Sequence, residues 1–252
     1  QHGRVIGVLA ARGGLGVSTL SANLAGAIYS RAHADVILAE TVPGQGSLGR
    51  DLGAPASAPL NELLCGKPVE ITREKVDSLL VGHGSGLRLL LASENPRDMH
   101  LAGQVENYPP LVNCLATLAR YVVLDLGAGL PPCVEKMLPL CSDRLVVLEG
   151  SPNSIAQARI LLDELVAMHI DPAGITVVLN NRIRTDAQMA WTEVQAALGH
   201  PIAATLTPAP EMLMAAARIH TPAVLSQPTN LTSQQIFKVA DLILETEKAA
   251  KK

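Results

Sequence analysis

Short apolar runs recur along this chain, and stretches of helical periodicity fill the gaps between them. Val5–Ala11 is one such run, and Val36–Ala39, Leu87–Ala92, Leu145–Leu148 and Ile175–Leu179 are others. Runs of this length, bounded by turn residues, read as strands buried on both faces. Tyr121–Leu126 has the same character and carries Asp125 near its C-terminal end, while Ile202–Leu206 is a weaker, edge-type run. Between them, Ser18–Ser30, Ile155–Met168, Ala187–Leu198 and Leu231–Lys248 place apolar residues at helical spacing; Leu60–Cys65, Glu74–Leu80 and Leu111–Leu118 read as shorter helices. The stretch Glu40–Pro59 is rich in Gly, Pro, Ser and Ala and reads as a long loop with only short turns. About seven strands alternating with helices predict an α/β fold: a doubly wound, mostly parallel sheet with helices on both faces. No repeat or linker divides the chain, so residues 1–252 are expected to form a single domain.

Composition narrows the functions on offer. Hydrophobic residues make up 48% and charged residues 17%, which excludes a disordered chain. Aromatic residues make up only 2%, so the core must be aliphatic and base-stacking platforms are excluded. A net charge of −3 argues against a strongly basic surface, and no sequence-specific nucleic-acid partner is expected. Cys65, Cys114, Cys133 and Cys141 form no CxxC pair and read as reduced, mostly buried thiols of a cytoplasmic protein. The histidines, His33, His83, His100, His169, His200, His220 and terminal His2, are scattered and lack ligand spacing. Trp191 is expected to pack rather than to recognise a ligand. No apolar run reaches the roughly 18 residues of a membrane span, and no secretory signal is visible. The chain starts at Gln1 rather than Met, as expected of a domain excised from a longer chain with an N-terminal neighbour.

In doubly wound sheets, ligands sit beyond the C-terminal ends of the strands. The positions to inspect therefore follow Ala11, Ala39, Leu124, Leu148 and Leu179. The first carries the turn Arg12-Gly13-Gly14-Leu15-Gly16-Val17-Ser18-Thr19. Glycines let backbone N–H groups turn inward as a cradle, and the helix that follows adds its positive end, so the turn suits a phosphate. Ser18 and Thr19 stand where a P-loop holds its magnesium ligand. The plain structural alternative is a tight strand–helix turn with Ser18 as its cap.

The turn resembles the deviant P-loop of the MinD/ParA ATPase superfamily, K-G-G-x-G-K-[ST]-T, matching at Gly13, Gly14, Gly16, Ser18 and Thr19. The run ARGGLGVST is most similar to the CpaE/TadZ branch, whose members act in bacterial pilus assembly and often have degenerate P-loops. Further motifs follow in the family's order. Tyr121–Asp125 with Leu126-Gly127-Ala128-Gly129 resembles the hhhhD-x-P-A-G switch, which implies that Asp125 holds a magnesium shell through water, with Gly127 in the proline's place. Val177–Arg182 resembles the adenine-contacting segment, with Asn180 at the purine-reading position and Arg182 beside it. Thr207-Pro208-Ala209-Pro210, Ala216, Thr221-Pro222 and Pro228 are similar to the family's proline-marked ending. The implied fold is P-loop NTPase-like, and the implied cofactor is ATP or ADP with magnesium. The implied cofactor-binding residues are Gly13, Gly14, Leu15, Gly16, Val17, Ser18, Thr19, Asn180 and Arg182, with Ser18 and Asp125 at the metal.

Departures at four positions bear on activity. Arg12 stands at the signature lysine, Val17 at the phosphate-binding lysine, and Glu40 and Val42 at the two acids expected after the second strand. A charge-assisted hydrogen bond contributes about 1.5–3 kcal/mol. Its loss at Val17 weakens binding roughly ten- to a hundred-fold. Arg12 and Glu40 are thus the only catalytic candidates, and Glu40 reads equally well as a solvated strand-end residue. The resemblance therefore implies a nucleotide-binding or vestigial scaffold that localises or organises a Tad/Cpa pilus-secretion assembly, with little or no ATP hydrolysis. It also implies pilus or secretion-system partners. A homodimer is implied, with contacts around Arg12, Glu40–Asp51 and Gly127–Cys133. Placement is expected in the cytoplasm, at a pole or at the inner face of the membrane through those partners.

Two other readings stay open. One is an active partitioning ATPase with Arg12 as catalytic cation. The other is a dinucleotide-binding oxidoreductase in which Ala11–Gly16 is the glycine fingerprint and Glu40 grips a ribose. MinD proteins also use a C-terminal helix as a membrane tag. Here Ile236, Phe237, Ala240, Leu242, Ile243 and Leu244, followed by Glu245, Glu247, Lys248, Lys251 and Lys252, read as a core-packed helix with a solvated tail, so direct membrane contact is not expected.

Overall fold

A computed structural model describes residues 2–183 and 189–250 and joins the apolar runs into one eight-stranded sheet. The chain begins with β1 (Arg4–Ala10), α1 (Val17–Ala32), β2 (Val36–Glu40), α2 (Leu48–Asp51), α3 (Pro59–Cys65) and α4 (Arg73–Leu79). It continues through β3 (Val81–Gly82), β4 (Arg88–Leu90), α5 (Tyr108–Leu118), β5 (Tyr121–Ala128), α6 (Pro132–Met137) and β6 (Asp143–Leu148). It closes with α7 (Pro152–Ala167), β7 (Ile175–Asn180), α8 (Trp191–Leu198), β8 (Ile202–Leu206), α9 (Pro210–Arg218), α10 (Ala223–Ser226) and α11 (Leu231–Ala250).

The strand order is β3-β4-β2-β5-β1-β6-β7-β8. All pairs are parallel except β3 with β4. The strand missed in sequence is β3, a two-residue edge piece too short to show a period. The stretch expected to be a loop contains α2, and α6, α9 and α10 were also missed. Prolines explain two of these: Pro132 and Pro210 open α6 and α9, where a missing N–H costs nothing. Ala187, the expected start of the eighth helix, lies outside the described residues.

Both faces of the sheet are covered, as continuous apolar strands require. One core lies under α3 to α8, and the other lies under α1, α10 and α11. Helix α11 places Ile236, Phe237, Val239, Ala240 and Ile243 in the second core. Arg31 of α1 stacks 4.5 Å over the Phe237 ring and pairs with Asp241 at 3.3 Å. Glu247 is not a solvated tail residue: it accepts from the Tyr121 hydroxyl at 2.6 Å and pairs with Arg120. Lys251 and Lys252 lie outside the described residues. No described helix is long and apolar enough to cross a membrane. Trp191 departs from expectation, since it opens α8 with 53% of its surface exposed. Cys65 is also exposed, while Cys133 and Cys141 are buried.

Candidate functional site

The glycine turn lies at the centre of the sheet's C-terminal edge, between β1 and α1. Gly14 and Gly16 take φ of 77° and 88°, in the left-handed region that glycine enters freely. Gly16 caps α1 with no side-chain cap hydrogen bond among the described residues, and the first turn carries no acid. Four orphan N–H groups with a positive dipole end therefore remain open to an anion. A Cβ on Gly13 or Gly14 would meet nothing within 4 Å, so the mouth of the cradle is clear. Ser18 is not the cap. Leu15 and Val17 turn their side chains into the core, so both offer only backbone to a ligand.

Asp125 stands beside this turn because β5 neighbours β1, with Val8 and Asp125 in register. Burial pushes its carboxyl above the ordinary value, and the Ser18 hydroxyl and the Gly127 N–H pull the other way. That N–H donates to Asp125 Oδ1 at 3.1 Å. Gly127 has φ of 69°, so neither a proline's fixed φ nor its missing N–H would serve here. A buried carboxylate facing one hydroxyl, with its charge only partly compensated, suits a divalent cation held by Ser18 and Asp125. Val42 stands near this turn; its Cγ2 would be 3.1 Å from a Cβ on Gly127. An apolar group thus occupies the ground where the resemblance places an acid.

Glu40 is neither solvated nor free. Its Oε1 accepts from the Ser47 N–H at 2.6 Å and the Leu48 N–H at 2.8 Å, and its Oε2 from the Ala92 N–H at 2.8 Å. Burial raises its pKa against those three bonds, and the Asp125 charge raises it further. The carboxylate ties the start of α2 to the segment just after β4. Each buried N–H left without it would cost about 1–3 kcal/mol. So engaged, it cannot grip a ribose or orient water without dismantling α2.

The far side of the cradle comes from β7. Asn180 Nδ2 donates to the Leu15 carbonyl at 2.9 Å and would lie 2.7 Å from a Cβ on Gly16. Asn180, Asn181 and Arg182 line a cleft of about 250 Å³ with Thr19, Pro208 and Leu213. Arg182 Nε donates to Glu149 Oε1 at 2.8 Å, and Arg12 Nη2 donates to Glu149 Oε2 at 3.3 Å. Glu149 was not singled out in the sequence, although the position after Leu148 was marked for inspection. Its one signal was a charge directly behind a buried strand. The structure thus brings together the glycine turn, Ser18, Asp125, Asn180, Arg182 and Arg12. Glu40 lies in register with Asp125, but its carboxylate is taken up by three backbone N–H groups, and the Val17 side chain faces the core.

The backbone cradle, the Ser18–Asp125 pair and the neighbouring cleft fit a magnesium nucleotide. The missing lysine does not, and no described side chain replaces it on α1.

Solved structures with this architecture include MinD and ParA ATPases. A ParA-family ATPase from Chlorobium tepidum TLS matches with a TM-score of 0.82 at 20% identity, over 94% of this chain and 98% of that one. The septum-site-determining protein MinD of Pyrococcus horikoshii OT3, complexed with Mg-ADP, gives 0.80 at 18% identity over 95% of each chain. MinD of Aquifex aeolicus, in its complex with MinC, gives 0.74 at 22% identity over 96% of each chain. No protein-family model and no curated protein matches the sequence. Identities this low establish the fold alone, and the fold is that of the MinD and ParA ATPases.

Proposed function

We propose that this chain is a nucleotide-binding positioning scaffold that takes ATP or ADP with magnesium and hydrolyses ATP slowly or not at all. One observation carries the reading. The glycine cradle and the Ser18–Asp125 pair stand open, while the positions that would drive hydrolysis, Val17 and Glu40, belong to the packing. P-loop hydrolysis needs a cation on the phosphates and a group that orients water. Arg12, the one basic residue of the turn, is engaged with Glu149. That engagement holds Arg12 on an internal acid in the ligand-free chain, and the engagement of Glu40 counts against the dinucleotide reading. By resemblance to the CpaE/TadZ branch, the assembly served is a bacterial pilus-secretion system, reached from the cytoplasm through partner proteins.

The scaffold works as a homodimer meeting through the cradle's rim. Glu40 and Cys133 are buried and leave that face. Arg12, Arg50 and the Gly129–Leu130 segment stay on it. Arg12→Glu is expected to weaken the dimer in sedimentation velocity, and an unchanged profile would remove this face.

Calorimetric titration with magnesium ATP tests the central reading. Saturable binding in the micromolar range with negligible phosphate release is expected. An absence of heat up to millimolar ATP would make the turn a structural relic. Turnover at rates ordinary for P-loop ATPases would make the chain an enzyme.

A further inference from the structure

We propose that Glu149 is an internal anion that competes with a ligand's phosphates for Arg12 and Arg182, and so limits how tightly the cradle holds a polyphosphate. The idea rests on the nucleotide reading only for the nucleoside part of the ligand.

Three adjacent strand ends assemble this contact. Ala10 of β1 is in register with Val147 of β6, and Leu148 of β6 with Leu179 of β7. The residues that follow these strands are therefore neighbours, and they include one acid and two arginines. Glu149 is set by its backbone: its N–H donates to the buried Ser154 Oγ at 3.0 Å. Its side chain is 14% exposed, against 39% for Arg12 and 47% for Arg182. The arginines reach inward to a fixed carboxylate.

The contact leaves both cations underused. Each guanidinium gives Glu149 a single N–H, and the Arg12 bond is long at 3.3 Å. Arg12 Nε is buried with no partner among the described residues. A phosphate group accepts two parallel N–H bonds from one guanidinium, which a carboxylate that gives one oxygen to each of two arginines does not. Phosphate oxygens therefore bond better with these arginines than Glu149 does. To reach them, they must displace a negative charge that sits beside the cradle and repels them. The site's cations are withheld until an anion outcompetes the chain's own.

The test is calorimetry of magnesium ATP and of inorganic tripolyphosphate against wild type, Glu149→Gln and the double variant Glu149→Gln/Arg12→Gln. Thermal melting checks that each variant is folded. Glu149→Gln is expected to bind both probes about tenfold tighter than wild type. Arg12→Gln should remove most of that gain and flatten the salt dependence. Should Glu149→Gln fail to fold, Glu149→Ser carries the same expectation. Unchanged or weaker tripolyphosphate binding by the neutral variant overturns the proposal, as does a gain that survives loss of Arg12. Tighter tripolyphosphate binding with no magnesium ATP binding supports the internal anion while overturning the nucleotide reading.

Discussion

Asn180 at the end of β7 donates its side-chain N–H to the carbonyl of Leu15, 2.9 Å away in the glycine turn. The turn is thereby tied to the sheet two strands from its own. A partly buried side-chain hydrogen bond of this kind contributes about 0.5–1.5 kcal/mol. Asn180→Ala should lower the melting temperature of the nucleotide-free protein by roughly 2–4 °C. Asn180→Asp should lower it further, because a carboxylate oxygen then faces the carbonyl. If both variants melt with wild type, the tie contributes nothing to stability.

Glu40 makes a second prediction, about stability rather than rate. In Glu40→Gln, the amide nitrogen must face an N–H, either that of Ala92 or those of Ser47 and Leu48. At least one bond is lost and a repulsive contact replaces it, at a cost of about 1–3 kcal/mol. Glu40→Ala releases all three N–H groups and should cost more. Urea unfolding would show the order wild type, Gln, Ala. An Ala variant as stable as wild type would mean that α2 stands without this carboxylate.

Asp125 should behave in the opposite sense. Burial raises its pKa, so the folded protein holds this proton more tightly than the unfolded chain does. Its contribution to stability is full below the ordinary aspartate value of 3.8 and falls as pH rises through the raised folded value. Asp125→Asn removes that loss. The variant should melt above wild type at neutral pH, and the difference should shrink to nothing in acid. A melting difference that does not vary with pH would contradict this. Magnesium-dependent nucleotide binding should weaken in the same variant, so the residue trades stability for a ligand.

Gly127 tests how tightly the switch turn is built. A non-glycine residue at its φ of 69° costs about 1–2 kcal/mol, and a Cβ there would press on Val42. Gly127→Ala should lose roughly that much in thermal unfolding. Gly127→Pro should lose more, since it also deletes the N–H that Asp125 accepts. Equal stability of the Ala variant would show that the turn relaxes freely.

The strands that build the site were legible because their environment repeats. Val5–Ala10 and Tyr121–Leu126 are buried on both faces, and a continuous aliphatic run has few other uses. The glycine turn was legible because left-handed backbone needs glycine at fixed places. Side chains acting through one precise neighbour were not. Glu40 looked like an exposed acid because nothing in its own segment shows that the Ala92 N–H, just beyond another strand, comes to meet it. Glu149 belongs to no motif, and its importance arises only where three strand ends converge. Helices α6 and α9 were hidden by prolines that read as loop punctuation until a helix is seen to start on them.

The position of β1 has a consequence for how the chain acquires its shape. Residues 4–10 lie between partners drawn from residues 121–128 and 143–147. This strand is therefore made well before either of its two neighbours in the sheet. Until residue 147 has emerged, its central ladder is incomplete and its apolar side chains have no settled neighbours. Closing such distant pairings is slow, and the waiting strand is open to wrong association. The glycine turn inherits this schedule: residues 12–19 are synthesised early but gain their flanking walls only when β6 and β7 dock. A nascent chain arrested before residue 121 would carry the whole phosphate-binding motif and have no cradle.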